Sequence, residues 1–336
     1  MLRVALFGCG RIGRVHAAAV AAHPRAELAW VCDPMEAAAK ELAGQYGAEA
    51  GSDVAAVLAD ESVDAVIVAS PTPTHVELLT AAVRAGKAVM CEKPIDLDLI
   101  RVDACWNEIG ELSPTVMVGF NRRFDPSFRE IRDRVSAGEI GRLEQLVITS
   151  RDPAPAPKAY IETSGGLFRD MTIHDFDMAR FLLGASGSGE VVEVQAMGAN
   201  LIEPYIAEAG DIDSAVVVLR SADGALAQIT NSRRCVFGYD QRVEAFGATG
   251  MLTAQNQLPT SVRYAGADRS EAAAPYQNFF LERYSAAYAL ELDHFVTAVE
   301  AGTAPSPSFA DGRAALVLAD AAAESLRTGS TVRVAG

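Results

Sequence analysis

The sequence predicts a two-domain α/β protein, in which a doubly wound parallel sheet is followed by a domain built on an open, mainly antiparallel sheet. Three observations lead to this prediction. Short apolar runs alternate with helical patterns in the N-terminal half, which is typical of parallel strands with helical crossovers. A glycine-rich turn separates the first run from the first helix. In the C-terminal half, runs alternate apolar and polar residues, as antiparallel strands with one solvated face do.

The N-terminal strands and helices follow each other in regular order. We predict strands at residues 2–7, 28–32, 64–69, 88–91 and 115–119, and helices at 17–22, 34–46, 73–85 and 96–109. The C-terminal half is expected to contain strands at 142–151, 191–198, 214–220, 225–231, 242–246 and 251–254, helices at 278–302 and 309–329, and a final edge strand at 331–334. Ligands of a doubly wound sheet bind beyond the carboxyl ends of its strands, so the loops there are the first candidates for a site.

Length, charge and cysteine content restrict the function further. At 336 residues the chain is long enough for two domains, which we place at residues 1–119 and 120–336. The formal charge of −15 argues against nucleic acid or an anionic membrane as the main partner. Five widely spaced cysteines without a CxxC pair favour reduced thiols and a cytoplasmic location. No apolar stretch of about twenty residues could span a bilayer, and the first strand leaves no room for a signal peptide.

The turn after the first strand reads Gly8-Cys9-Gly10-Arg11-Ile12-Gly13. Glycines are required there because the turn is tight and a pyrophosphate must approach backbone N–H groups at the helix N-terminus. A later strand ends in Asp33, whose carboxylate can accept both ribose hydroxyls and would repel a 2′-phosphate. This spacing predicts NAD, and less readily NADP, as the cofactor; the competing interpretation is a glycine-rich turn with an incidental aspartate. The predicted cofactor-binding residues here are Gly8, Gly10, Arg11, Ile12, Gly13 and Asp33.

Two further loops follow strands at the same edge of the sheet. Ser70, Thr72 and His75 lie in the first loop and are expected to border the cofactor, although His75 could equally have a local capping role. The second loop is Glu92-Lys93-Pro94, and a lysine there would lie at the nicotinamide end. Burial and a nearby cation would make Lys93 an acid or a proton-sharing partner near neutral pH. An ordinary surface lysine remains the alternative.

The run from Ser164 to Asp177 contains the remaining candidates for chemistry. We predict a largely buried helix over residues 167–183, on which Asp170, His174 and Asp177 fall within one narrow arc. Two carboxylates and an imidazole on the inner side of such a helix are costly unless they are paired or line a cavity. The alternatives are a hydrogen-bonded core histidine and, for Asp177, an ion pair with Arg180.

Taken together, several motifs make the chain resemble the GFO/IDH/MocA oxidoreductases over essentially its whole length. The motifs are the glycine-rich turn, Glu92-Lys93-Pro94, Gly119-Phe120-Asn121-Arg122-Arg123-Phe124-Asp125, Arg151-Asp152-Pro153 and the run from Gly165 to Asp177. The resemblance implies that Lys93, Asp170 and His174 are catalytic. It also implies oxidation of a cyclic polyol in inositol catabolism, most simply myo-inositol to 2-keto-inosose, and a homotetramer formed through the free face of the C-terminal sheet.

A polyol site needs many hydrogen-bonding groups, because each hydroxyl removed from water must find a partner. Beside Lys93, Asp170 and His174, the candidates are Arg123, Asp152, Tyr239 and Tyr284. Each tyrosine could instead pack by its ring, and Arg123 could form an ion pair with Asp125. The histidines and cysteines show no metal-ligand spacing, so no metal is expected.

The expected mechanism divides the work among three residues. His174 takes the hydroxyl proton as the hydride leaves for the nicotinamide, Asp170 orients the substrate or the imidazole, and Lys93 hydrogen-bonds the reacting oxygen. Two other functions stay open. One is oxidation of scyllo-inositol or an aldose of the glucose type on the same scaffold. The other is a regulator that binds NAD without turning it over, because a fold does not determine a function.

Overall fold

The computed structural model describes residues 1–334. The chain forms two compact units, the first comprising residues 1–124 and 286–316 and the second residues 125–285 together with the chain from 317 onward. The division predicted between residues 119 and 120 therefore differs from these units, because a late segment of the chain joins the first one. The periodicity of a helix shows which face is buried, but it does not show which sheet covers that face.

A six-stranded parallel sheet forms the first unit and confirms the predicted doubly wound architecture. The strand order is β3-β2-β1-β4-β5-β6, the order of the dinucleotide-binding Rossmann fold. Strand β3 was not predicted, because its three residues, Glu-Ala-Gly, carry no apolar run. The strands are β1 (Leu2–Phe7), β2 (Ala26–Cys32), β3 (Glu49–Gly51), β4 (Ala65–Val68), β5 (Ala88–Glu92) and β6 (Val116–Gly119).

The helices of this half begin where the sequence offers capping groups. Asp53 and Asp98 accept hydrogen bonds from backbone N–H groups of the helices that follow them, which satisfies donors that a helix start leaves unpaired. The first helix differs, because Gly10 at its N-cap position supplies no side chain. The helices are α1 (Arg11–Ala22), α2 (Glu36–Tyr46), α3 (Val54–Ala59), α4 (His75–Arg84) and α5 (Leu99–Ile109).

The second unit is built on a seven-stranded sheet of order β12-β11-β7-β10-β9-β8-β15. All neighbours are antiparallel except β7 and β10, which pair in parallel. The prediction of a mainly antiparallel sheet is therefore confirmed. The elements from residue 126 to 254 are α6 (Pro126–Ser136), β7 (Leu143–Arg151), α7 (Lys158–Ile161), α8 (Ile173–Ala185), β8 (Val191–Ala199), α9 (Pro204–Glu208), β9 (Ser214–Ser221), β10 (Leu226–Ser232), β11 (Asp240–Gly247) and β12 (Gly250–Ala254).

The remaining chain contains two small strands, three helices and the final edge strand. The helix predicted over 278–302 is interrupted at Tyr284, so that a short helix precedes a long one. None of the helices within residues 1–334 is long and apolar enough to cross a membrane. The elements are β13 (Arg263–Tyr264), β14 (Ala272–Ala273), α10 (Phe280–Arg283), α11 (Ser285–Ala301), α12 (Phe309–Thr328) and β15 (Val332–Arg333).

Candidate active site

The glycine-rich turn of the first unit has the shape that a dinucleotide pyrophosphate requires. A Cβ at Gly8 would lie 2.6 Å from the Ala69 carbonyl oxygen, and one at Gly13 would lie 2.0 Å from the Gly8 carbonyl oxygen. Glycine is needed at both positions for the close approach of the backbone. At Gly10 a Cβ would meet nothing within 4 Å, so space is open beside the uncapped N-terminus of α1. These features fit a bound pyrophosphate.

Asp33 lies beside this turn, where the sequence places it. Its carboxylate accepts hydrogen bonds from the backbone N–H groups of Cys9 and Met35, each at 2.8 Å. Each carboxylate oxygen has a second lone pair, so these bonds leave room for ribose hydroxyls. Burial, followed by the charge of Asp33, raises the pKa of the Cys9 thiol to about 12. A thiol held in its protonated form is a poor nucleophile, and Cys9 is structural.

His75 joins the two other loops at this edge of the sheet. Its Nδ1 lies 2.8 Å from the carbonyl oxygen of Pro94, and its Nε2 lies 2.8 Å from that of Ser70. The ring is 1% exposed. His75 therefore fixes the backbone of both predicted cofactor loops, a role that its position at the start of α4 did not indicate. Ser70 itself hydrogen-bonds the hydroxyl of Thr74 at 2.6 Å, beside the half-buried Thr72.

Lys93 is half-buried and follows directly on β5. The preceding residue, Glu92, is anchored by His16 of α1, with 2.6 Å between Glu92 Oε1 and His16 Nε2. His16 was not among the predicted site residues, because a histidine within an apolar helix gives no signal of its partner. The peptide between Lys93 and Pro94 is cis.

Arg123 also belongs to the first unit, where it is 5% exposed. Its guanidinium donates to Asp311 at 3.0 Å and to the hydroxyl of Ser306 at 3.3 Å. The suggested pairing partner, Asp125, instead accepts a hydrogen bond from Arg283 within the second unit. Burial alone would raise the pKa of Asp311, but the charge of Arg123 and local hydrogen bonds hold it down at about 2. Arg123 is thus fixed as a buried cation beside an ionised carboxylate.

In the second unit, Asp170 is held by two residues that were not among the predicted site residues. Arg233 donates to Asp170 Oδ2 at 3.0 Å, and the Tyr160 hydroxyl donates to Oδ1 at 2.7 Å. Arg233 is 1% exposed and also contacts Asp211 at 3.4 Å. Burial alone would lower the pKa of Arg233, but these two carboxylates raise it above its usual value. Arg233 therefore stays charged and presents a fixed cation to Asp170.

The backbone around Asp170 departs from the predicted continuous α-helix. Residues Phe168–Thr172 form a π-helical turn, and α8 begins at Ile173. The wider turn changes the angle between Asp170 and His174 from the one expected on a regular helix, and such turns are frequent at functional sites. Both residues are half-buried, whereas Asp177 is 1% exposed. Arg180 pairs with Glu190 through two hydrogen bonds of 2.9 and 3.0 Å.

Asp175, the residue after His174, anchors this helix to the sheet. It is fully buried and accepts hydrogen bonds from the Ser150 hydroxyl at 2.6 Å and from the Asn231 amide at 2.7 Å. The Thr172 hydroxyl donates to the side-chain oxygen of Asn231 at 2.7 Å. These hydrogen bonds connect the start of α8 to strands β7 and β10. They fix the position of the His174 backbone relative to the sheet.

The other predicted substrate residues lie in the same unit. Tyr284 is 1% exposed and donates to Gln241 at 3.2 Å, and its ring contacts that of Tyr239 edge-on, with 6.0 Å between the ring centroids. Tyr239 is 6% exposed. Asp152 is half-buried at the end of β7, where its backbone N–H donates to the Ser232 carbonyl at 2.9 Å.

A Rossmann sheet with a phosphate-binding turn and a ribose-type aspartate defines the class of nicotinamide-dinucleotide-dependent oxidoreductases. Comparison with known proteins agrees with this class. The model of the oxidoreductase family with an NAD-binding Rossmann fold matches residues 2–120, and that of the GFO/IDH/MocA C-terminal domain matches residues 128–253. The chain belongs to the GFO/IDH/MocA oxidoreductase family, and its cofactor is NAD.

Relatives with known names match over the whole length of the chain. The inositol 2-dehydrogenase of Rhizobium meliloti is 48% identical over 99% of both chains, and the myo-inositol 2-dehydrogenase of Thermotoga maritima is 44% identical over 99% of this chain and 98% of its own. The crystal structure of a myo-inositol dehydrogenase from Corynebacterium glutamicum has 54% identity and a TM-score of 0.96, covering 100% of this chain and 99% of its own.

Proposed function

We propose that the protein is an NAD-dependent dehydrogenase that oxidises a secondary alcohol of a cyclic polyol, converting myo-inositol to 2-keto-inosose. The observation that carries this proposal is the half-buried Asp170, fixed by Arg233 and Tyr160 one turn before His174. A fixed carboxylate accepts hydrogen bonds from hydroxyl groups, and a neighbouring imidazole can take a proton near neutral pH. The names of the relatives support a polyol as the substrate.

In the proposed mechanism, His174 removes the proton from the reacting hydroxyl. Asp170 receives a hydrogen bond from the substrate or from the imidazole and so orients the reacting group. Lys93 donates a hydrogen bond to the reacting oxygen and stabilises negative charge that develops there. When bound, NAD accepts the hydride from the carbon. Further hydrogen bonds to the substrate come from Arg123, Asp152, Tyr239 and Tyr284.

The two parts of the chain divide this work. Residues 1–119 bind the cofactor, and residues 120–336 bind the substrate and form the contacts between subunits. The cofactor-binding set is Gly8, Gly10, Arg11, Ile12, Gly13, Asp33, Ser70, Thr72, His75, Glu92 and Lys93. The five buried, free cysteines support a cytoplasmic location, because thiols persist in a reducing compartment.

The protein acts as a homo-oligomer, a homotetramer in our proposal. Its support is the outer face of the C-terminal sheet, where apolar side chains are exposed next to one another across the strands. Val216 and Met197 are paired neighbours there, as are Phe246 and Met251, and each is at least 43% exposed. Exposed apolar patches of this kind mark protein–protein contacts.

A substrate panel tests the function. Purified protein is mixed with NAD or NADP and with myo-inositol, scyllo-inositol or glucose, and the absorbance of the reduced cofactor is followed. We expect the highest kcat/KM with myo-inositol and NAD. A clear preference for scyllo-inositol or glucose would reassign the substrate within the same chemistry. Tight NAD binding without turnover of any of the three would indicate a regulator.

The assignment of the base is tested by His174→Ala. Loss of a general base lowers kcat by about a hundredfold or more, with NAD affinity and thermal unfolding temperature close to those of the unmodified protein. His23→Ala is the control, because His23 pairs with Asp293 within the first unit and has no proposed role. Near-normal turnover by a folded His174→Ala variant would end this assignment.

A further inference from the structure

The turn that carries Lys93 is fixed from both sides by buried groups. On one side, Glu92 contacts His16 at 2.6 Å, and His16 is 1% exposed. Glu92 also lies close to β6, since a Cβ at Gly119 would be 3.1 Å from its carboxyl carbon. On the other side, the Pro94 carbonyl oxygen lies 2.8 Å from the ring of His75. The backbone of Lys93 is therefore held by its two neighbours.

A second carboxyl group lies in the same interior without a hydrogen bond. Glu291 of α11 is 0% exposed, and among residues 1–334 neither of its carboxyl oxygens has a hydrogen-bond partner. Burial, and then the negative charge of Glu92, raises the pKa of Glu291 well above its usual value. Tyr288, one turn before Glu291 on α11, meets the ring of His16 edge-on at 5.8 Å, and His16 in turn contacts Glu92 on β5.

Glu92 and Glu291 differ in their hydrogen-bond partners, and this difference indicates which of them keeps its proton. Two neighbouring carboxylates cannot both ionise in a buried place without a large cost. Glu92 has an imidazole at hydrogen-bond distance, whereas Glu291 has none in the described chain. Glu291 is therefore the carboxyl group that holds its proton. An ionised Glu291 would repel Glu92, and this repulsion would disturb the residue next to Lys93.

We propose that Glu291 is a positioning residue for Lys93: buried in its neutral form, it leaves the contact between Glu92 and His16 undisturbed as the support of the turn. The proposal rests on the role given to Lys93 in the proposed function. Glu291 itself touches neither substrate nor cofactor in this account. It acts through Glu92, by placing no second negative charge beside the carboxyl group that His16 contacts.

The protonation of Glu291 is tested by the stability of Glu291→Gln as a function of pH. Burial makes the ionisation of Glu291 more costly in the folded protein than in the unfolded chain. The free energy of unfolding therefore falls as the pH rises from the ordinary pKa of a glutamate to the raised pKa of Glu291. Glutamine has the same shape and cannot ionise, so this variant should lose less stability from pH 6 to pH 9 than the unmodified protein. Thermal unfolding across that range measures the difference. Glu300→Gln on the same helix, with its 40% exposed side chain, should follow the unmodified protein.

Kinetics test the positioning role. At pH 7, Glu291→Gln should keep kcat within about twofold, because the native group is already neutral, and its kcat should fall less steeply at alkaline pH. His16→Ala should lower kcat by about tenfold or more, since small misplacements of a catalytic group are costly, and should leave the Kd for NAD within about threefold. His16→Gln, which keeps a donor toward Glu92, should restore part of the loss.

Two results would overturn the proposal. One is a Glu291→Gln variant that loses activity at pH 7 as strongly as His16→Ala while it stays folded, because the native group would then be ionised. The other is an identical dependence of stability on pH in Glu291→Gln and the unmodified protein. An unmodified protein without polyol oxidation would instead contradict the proposed function, and the stability comparison would still report the protonation of Glu291.

Discussion

The guanidinium of Arg233 lies between Asp170 and Asp211 and is almost completely enclosed. A buried charge is tolerated only when it is paired and hydrogen-bonded. Asp170 depends on Arg233 in turn, because the arginine neutralises a carboxylate that is only 12% exposed. The glycines before this segment help to build the arrangement. Gly166 has a positive φ of 87°, and a Cβ there would lie 3.1 Å from Asp211 Oδ1, the atom that accepts a hydrogen bond from Leu167 N–H at 2.8 Å.

We expect Arg233→Ala to lower the free energy of unfolding by about 3–5 kcal/mol, because it leaves two partly buried carboxylates without their cation. Polyol oxidation should fall with it, mainly through a higher KM, since Asp170 loses its fixed position. Arg233→Lys keeps the charge but not the forked geometry and should be intermediate. Chemical denaturation and steady-state kinetics measure both effects.

The neighbouring Arg234 provides the control for this prediction. Arg234 is exposed, so Arg234→Ala should change the free energy of unfolding by less than about 0.5 kcal/mol, as surface substitutions usually do. Equal effects of the two alanine substitutions would show that the enclosed ion pair contributes nothing specific.

These two arginines also show where sequence reasoning about single residues stops. Lys93, Asp170 and His174 were selected because each lies in a recognisable motif. Arg233 and Arg234 are indistinguishable in the sequence, whereas in the fold Arg233 contacts Asp170 and Asp211 and Arg234 is exposed. A partner 63 residues away leaves no local pattern.

At the scale of elements, the π-helical turn at Phe168–Thr172 and the Asp175 network define where α8 begins. A π turn accommodates one more residue per turn than the helix after it, so its position has to be fixed by contacts outside the helix. Thr172 and Asp175 provide these contacts through Asn231. His174 lies between the two anchored residues, and its orientation follows from theirs.

We expect Asp175→Ala to lower the free energy of unfolding by about 1–3 kcal/mol, because the buried Ser150 hydroxyl and Asn231 amide lose their acceptor. It should also lower kcat by about tenfold or more, since a small shift of a catalytic group has a large effect on rate. Glu190→Gln is the matched control, because Glu190 lies in the loop before β8 and pairs with Arg180 of α8. The Glu190 side chain is 60% exposed, so its removal should lower the free energy of unfolding by less than about 1 kcal/mol and leave kcat unchanged. An unchanged kcat in Asp175→Ala would show that the anchor does not position His174.

The elements themselves were largely predictable, and the exceptions have physical causes. The alternation of apolar and polar residues predicted the six longer strands of the C-terminal sheet, as it does where one face of a sheet is solvated. The parallel pairing of β7 with β10 was not predictable, since a strand has the same side-chain pattern whichever way its neighbour runs. The π turn was not predicted either. Its last residue, Thr172, donates a hydrogen bond to Asn231 on a distant strand, and such a contact leaves no local pattern in the sequence.

At the scale of the whole molecule, the outer face of the C-terminal sheet is the surface that we propose as the contact between subunits. Val218 on β9 is 40% exposed, whereas its neighbours Val217 and Leu219 are fully buried on the other face. An ordinary antiparallel sheet would place polar residues at such outer positions. The sequence predicts the free face from this alternation, but the number of subunits came from the family resemblance alone, because alternation does not encode the symmetry of an assembly.

We expect Val218→Arg combined with Phe246→Arg to reduce the size of the particle, since two buried like charges at a subunit contact would lack partners and oppose association. Light scattering after size-exclusion chromatography measures the mass of the unmodified protein and of the variant. Ile100→Arg is the matched control, because Ile100 is 77% exposed on α5 and lies outside this sheet. The same mass for all three proteins would exclude the outer face as a subunit contact, whereas a smaller particle from the double variant alone assigns the contact to this face.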